Sequence, residues 1–135
     1  MVSRLSFSER KTRTQTSLGI SHERFPLVMS VLNVTPDSFS DGGQFQTTDA
    51  VKKQCDYFVE HDSDIIDIGG ESTRPGSEPV TLEDEWRRVR DALAIASNYP
   101  GLLVSIDTQK AEIARRALAE GADIVNDVSG LRDPQ

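Results

Sequence analysis

From residue 27 onward the chain alternates short apolar runs with longer amphipathic stretches, and this alternation limits the fold more than any other feature of the sequence. A β-branched, leucine-rich run, then a helical stripe, then another such run is the pattern of βαβ units, whose strands pair in parallel. Four such runs stand at Leu27–Leu32, Asp64–Ile68, Leu102–Ile106 and Ala122–Val125. Their near-continuous apolar character predicts strands covered on both faces. Between them, apolar residues recur three and four positions apart: Ala50, Val51, Cys55, Phe58 and Val59; then Leu82, Trp86, Val89, Leu93 and Ala96; then Ile113, Ala114, Ala117 and Leu118. Each set forms one stripe of a helix that can lie on the sheet. Thr81, with Asp84 three residues on, predicts a helix start near Leu82, and Gly121 predicts the end of the third helix.

Loop lengths separate two architectures. The segments from helix into strand are short, whereas the first two that leave a strand are long and rich in Gly, Pro, Ser and Asp. A doubly wound open sheet wants a glycine-rich turn directly after its first strand, where this chain has Asn33, Val34, Thr35, Pro36 and Asp37. In a (β/α)₈ barrel the loops after the strands build the active face. The expected fold is therefore α/β, a parallel (β/α) barrel of TIM type that breaks off after about four strands. Residues 1–25 are expected to be a basic flexible leader or linker, and residues 26–135 the amino-terminal half of the barrel.

Charge and composition exclude several function classes. The formal net charge is −7, yet Arg4, Arg10, Lys11, Arg13 and Arg24 against Glu9 and Glu23 give the first 24 residues +3, leaving −10 on the rest. So acidic a body is a poor match for nucleic acid, which is bound through clustered Lys and Arg. No apolar run approaches the roughly 18 residues of a membrane span. The one cysteine, Cys55, has no disulfide partner in the chain and falls within a helical stripe. A cytoplasmic location is expected. The Arg-, Ser- and Thr-rich leader has some likeness to a mitochondrial transit peptide, with a disordered tail or linker as the plainer reading.

Polar residues at the strand ends are the candidate chemistry. Asp107 and Asn126 each follow an apolar run, where a side chain is aimed at a barrel mouth. A carboxylate there can accept two parallel hydrogen bonds from an amino-pyrimidinone edge, and an amide can both donate to and accept from a ring. The plain alternatives are that Asp107 caps the third helix and Asn126 satisfies a turn. Asn33 ends the first run; it either starts a turn or offers a neutral oxygen of the kind that suits magnesium. Thr73 and Arg74 lie in a glycine-rich loop, where a hydroxyl and a guanidinium fork suit phosphate, against the alternative of a solvated arginine. Asp37 and Phe39 lie in the first loop, and Phe39 is more readily a lid over an aromatic ligand than core. Asp41, Asp67 and Glu71 are nearby carboxylates read as structural. His22 and His61 lack any metal-ligand spacing, and the chain has no nucleophile elbow, P-loop or dinucleotide fingerprint.

The loop NVTPDSFSDGG from Asn33 to Gly43 and the loop GGESTRPGS from Gly69 to Ser77, followed by VSIDT at Val104–Thr108 and DIVND at Asp123–Asp127, resemble the signature segments of dihydropteroate synthases. The resemblance covers about residues 27 to 133. It implies displacement of pyrophosphate from dihydropterin pyrophosphate by the amine of p-aminobenzoate, with Mg²⁺ and no covalent catalytic residue. It also implies that Asp107 and Asn126 contact the pterin, Thr73 and Arg74 the pyrophosphate, and Asn33 the metal. Asp37, Phe39, Ser72 and Pro75 would form the p-aminobenzoate pocket and lid, the place where sulfonamides compete in this family. A homodimer is expected of the full-length form. Segments expected later in the family, an Asp-Pro-Gly-Phe-Gly stretch, a Ser-Arg-Lys and a final basic cluster, have no counterpart in the chain, so the 135 residues alone are expected to be inactive. The rival readings are a corrinoid-linked pterin methyltransferase domain, which needs no pyrophosphate loop, and a non-catalytic pterin-binding remnant.

Overall fold

Alternation of strand and helix is what the computed structural model displays, over residues 27–35 and 48–134 together with the isolated positions 9 and 16. The strands are β1 (Met29–Asn33), β2 (Ile65–Gly69), β3 (Leu103–Asp107) and β4 (Ile124–Asn126), and the helices are α1 (Thr48–Glu60), α2 (Leu82–Ala96) and α3 (Ala111–Glu120). All neighbouring strands pair in parallel in the order β1-β2-β3-β4. Sequential order without reversal is that of a (β/α) barrel, because a doubly wound sheet turns back at a switch point.

The two faces of the sheet differ. Ile66 and Ile68 of β2, with Val104 and Ile106 of β3, meet Val51 and Cys55 of α1, Val89 and Leu93 of α2, and Ile113 and Ala117 of α3 in one buried cluster. Each fully buried aliphatic chain of this kind contributes about 1.5–3 kcal/mol. α2 lies in the middle, packed against both α1 and α3. Across the sheet, at alternate positions, Met29 and Val31 are 43% and 57% exposed. That face is the barrel interior.

Local signals in the sequence act as their chemistry requires. Thr81 Oγ1 accepts from the Asp84 backbone N–H at 3.2 Å and donates to its carboxylate at 2.7 Å, which starts α2. Gly121 ends α3 at φ 118°, a left-handed conformation that costs glycine nothing. The strands, however, end later than the apolar runs. Val34 N–H donates to the Gly69 carbonyl at 2.8 Å and Thr108 N–H to that of Asn126 at 3.0 Å, so pairing reaches past the last apolar residue. The ladder is made by backbone groups, and side-chain polarity does not end it. No helix among the described residues is long and apolar enough to cross a membrane. The predicted leader, apart from positions 9 and 16, and the lid residues Asp37 and Phe39, with Asp41 and His22, lie outside the described residues.

Candidate functional site at the strand ends

Strand register, with its period of two, assembles the site. The pairings Asn33↔Gly69, Gly69↔Asp107 and Asp107↔Asn126 set four residues on one level at the carboxyl ends of the strands. They share the interior face with the level beneath, Val31, Asp67, Ser105 and Ile124. Asn126 donates from Nδ2 to Asp67 Oδ2 at 3.0 Å. This contact fixes which end of the amide faces down and leaves Oδ1 as the acceptor directed elsewhere. Asp67 is buried, and its Oδ1, like Ser105 Oγ, has no hydrogen-bond partner among the described residues.

Glycine at position 69 keeps this level open. A Cβ there would lie 3.4 Å from Asp107 Oδ2 and 3.7 Å from Asn33 Oδ1, so the space between the two side chains is the space a side chain would fill. The Asn33 oxygen on one side of this gap is a neutral donor of the kind that suits a hard cation such as magnesium, which binds through few protein groups and completes its shell with water and phosphate. Among the described residues there is no cluster of three His, Cys, Asp or Glu that would build an all-protein cage. Next to it, Gly70 serves packing. A Cβ on Gly70 would meet Val89 Cγ1 at 2.8 Å and the Glu85 carbonyl at 3.2 Å, so only glycine lets the end of β2 lie this close to α2.

Asp107 is the electrostatically unusual group. Burial, joined by the carboxylates of Asp67, Glu85 and Asp127, pushes its pKa from 3.8 up to about 6. It neither caps α3 nor forms any other side-chain hydrogen bond among the described residues; the Ala111 N–H at the start of α3 donates instead to Asp133 at 2.8 Å. A half-buried carboxylate with no donor and three like charges nearby is preorganised for a ligand rich in N–H groups.

The loop from Gly70 to Thr81 covers one side of this level. Asn33, Thr35, Ser72, Thr73, Arg74, Pro75, Arg88 and Asp107 line a cleft of about 790 Å³. Ser77 Oγ donates to the carbonyls of Ser72 and Arg74 at 2.7 and 2.8 Å, Ser77 N–H to that of Arg74 at 3.1 Å, and Gly76 turns at φ 85°. These bonds curl the backbone around Thr73 and Arg74. Both side chains stay exposed, and among the described residues the Arg74 guanidinium has no carboxylate partner. Asn33, Ser72, Thr73, Arg74, Pro75 and Asp107 thus come together at one cleft, with Asn126 beside Asp107 on the next strand.

Sequence reasoning missed a second polar group behind the loop. Lys110 binds the carboxylates of Glu71 and Glu85, the latter at 2.6 Å, and Thr108 Oγ1 donates to Glu85 at 2.6 Å. Glu85 is fully buried. A buried glutamate at a helix position that reads as stripe-adjacent, with a lysine in the next βα loop, is a signal that distance along the chain conceals. Asp67, structural by its place in the sequence, lies directly under the site through its bond to Asn126.

Comparison with known proteins gives these residues a context. The family described as pterin binding enzyme matches residues 29–135. A dihydropteroate synthase of Streptococcus pyogenes is 53% identical over 108 residues, covering 78% of this chain and 40% of that protein. A probable bifunctional folylpolyglutamate synthase/dihydropteroate synthase of Halobacterium salinarum is 50% identical over 108 residues, covering 80% of this chain and 13% of that protein. Among solved structures, Xanthomonas albilineans dihydropteroate synthase with 4-aminobenzoic acid superimposes with a TM-score of 0.74 at 47% identity, covering 81% of this chain and 40% of that one. The chain therefore spans less than half the length of each of these proteins.

Proposed function

The chain belongs to the family of pterin binding enzymes, and from that premise we propose that it supplies the pterin- and pyrophosphate-binding half of a dihydropteroate synthase site. The observation that carries this reading is the level Asn33, Gly69, Asp107, Asn126 with the Thr73–Arg74 loop standing over the same cleft. A ring-binding carboxylate and amide and an anion-binding loop are the two halves needed by a pterin that carries a diphosphate.

In the proposed reaction the bond between the pterin methylene carbon and the pyrophosphate oxygen breaks, and the amine of p-aminobenzoate forms the new C–N bond. The amine proton passes to solvent. Ionised Asp107 accepts hydrogen bonds from the amino-pyrimidinone edge, and Asn126, its Nδ2 held by Asp67, accepts through Oδ1 from a ring N–H. Both contacts strengthen as positive charge spreads over the ring, which is how fixed dipoles and charges lower such a barrier. Thr73 and Arg74 take the departing diphosphate oxygens through a hydroxyl and a guanidinium fork. Asn33 would hold Mg²⁺, which when bound neutralises charge on the leaving group. Ser72 and Pro75 border the p-aminobenzoate side, with Asp37 and Phe39 as the lid. A homodimer is the proposed assembly.

Calorimetric titration tests the reading. 6-Hydroxymethyl-7,8-dihydropterin pyrophosphate is expected to bind more tightly with Mg²⁺ than without, and Arg74→Met to weaken that ligand but not the pterin lacking its diphosphate. Equal binding of both ligands to both proteins would remove the basis for the assignment, and methyltetrahydrofolate binding in their place would favour a corrinoid-linked methyltransferase.

A further inference from the structure

The loop that carries Thr73 and Arg74 is closed at its base by a side chain. Glu71 Oε1 accepts the backbone N–H of Val80 at 3.2 Å, joining the two ends of the loop across nine residues. Its other oxygen is bound by Lys110 Nζ, which also reaches Glu85 Oε2 at 2.6 Å. Thr108 connects the remaining parts: its Oγ1 donates to Glu85 Oε1 at 2.6 Å and accepts the Lys110 N–H at 3.2 Å.

We propose that Lys110 and Glu71 are positioning residues for diphosphate recognition, pinning the base of the Thr73–Arg74 loop to the end of the strand that presents Asp107. Lys110 lies three residues beyond Asp107, so one short segment anchors both the ring-binding carboxylate and the loop that receives the diphosphate. Because the far side of the clamp is a fully buried carboxylate on α2, the lysine has little freedom to swing into solvent. Burial opposes the ammonium, yet the hydrogen bonds it donates to Glu71 and Glu85 outweigh this and hold Lys110 charged, while burial of Glu71 is likewise outweighed by the hydrogen bonds it accepts from Lys110 and the Val80 N–H, and its carboxylate is held ionised. The distance from the Asp107 level to the loop is thereby set by a charge pair that joins the loop's own Glu71 to Lys110 just beyond β3. Misplacement of a binding group by about 1 Å can cost up to roughly a hundredfold in rate.

This inference rests on the proposed function, and its test separates the two. Lys110→Met leaves the buried Glu85 without its cation and can fail to fold, so Glu71→Ala, which keeps the Lys110–Glu85 pair, is the decisive variant, with Lys110→Arg as the conservative control. Binding of inorganic pyrophosphate, of dihydropterin pyrophosphate and of 6-hydroxymethylpterin is measured by calorimetry, and exchange of the Val80 amide by hydrogen–deuterium exchange. Glu71→Ala is expected to weaken both diphosphate-bearing ligands on the order of tenfold, leave 6-hydroxymethylpterin within about twofold, and accelerate exchange at Val80; Lys110→Arg is expected to retain most of the affinity. Unchanged diphosphate affinity in Glu71→Ala, or an equal loss for all three ligands, would overturn the proposal. Should the unaltered protein bind none of them, the proposed function fails, and unaccelerated Val80 exchange would then overturn the clamp as well.

Discussion

Replacing Asp107 by Asn should make the ligand-free protein more stable and the pterin complex weaker, and both effects follow from one electrostatic feature. The carboxyl pKa rises from 3.8 to about 6, a shift of about two units, through burial first and then the charges of Asp67, Glu85 and Asp127. At about 1.36 kcal/mol per unit the full conversion is about 3 kcal/mol. Asp107 is only half-buried, however, and solvent screening reduces this to about 1 kcal/mol. A carboxyl whose folded pKa is raised contributes stability that is complete below its unfolded pKa and is lost as pH rises through about 6. Asparagine has no such loss. Urea denaturation should therefore show Asp107→Asn more stable by about 1 kcal/mol at pH 8, with the gain fading toward pH 4. In the same protein pterin affinity should fall by about 2–5 kcal/mol, because a charged acceptor in a desolvated site is replaced by a neutral amide. Pterin affinity of the unaltered protein should also decline as pH falls through about 6. A variant that is less stable at pH 8, or a stability difference that is the same at both pH values, would refute the electrostatic reasoning; unchanged pterin affinity would refute the role.

Other expected outcomes are narrower. Thr73→Ala should scarcely alter binding of 6-hydroxymethylpterin but weaken the diphosphate-bearing ligand by about 1–2 kcal/mol, measured by calorimetry. Gly70→Ala, whose Cβ would meet Val89 Cγ1 at 2.8 Å, should lower stability by about 1–3 kcal/mol in urea denaturation. Gly69→Ala, with no contact closer than 3.4 Å, should unfold within about 1 kcal/mol of the parent yet impair binding at the gap between Asn33 and Asp107. Residues 1–135 purified alone should show no turnover with both substrates and Mg²⁺ in a pyrophosphate-release assay, since no Lys or Arg stands on the interior level facing Asp107 and Asn126 among the described residues.

Much of this fold was legible because burial writes itself into periodicity. The stripes of α1, α2 and α3 and the four apolar runs could be read directly, and Thr81 and Gly121 are short-range signals whose mechanism is local. The apolar runs stop one residue short of the strands, because the polar Asn33, Asp107 and Asn126 at the strand ends still pair through their backbones. The same polarity is what marked them as candidates. Asp67 and Glu71 read only as structural carboxylates near the site, and Glu85 and Lys110 were missed, for a different reason. Their partners are 59, 39 and 25 residues away in sequence, and only the register of β2, β3 and β4 and the packing of α2 bring them together.

The most direct test follows both substrates through turnover in the protein as its source expresses it. With dihydropterin pyrophosphate, p-aminobenzoate and Mg²⁺, the account predicts that dihydropteroate and pyrophosphate appear in equal amounts and that Asp107→Asn and Arg74→Met each reduce that rate steeply. Methyl transfer from methyltetrahydrofolate to a corrinoid without pyrophosphate release, or full turnover in both variants, would contradict it.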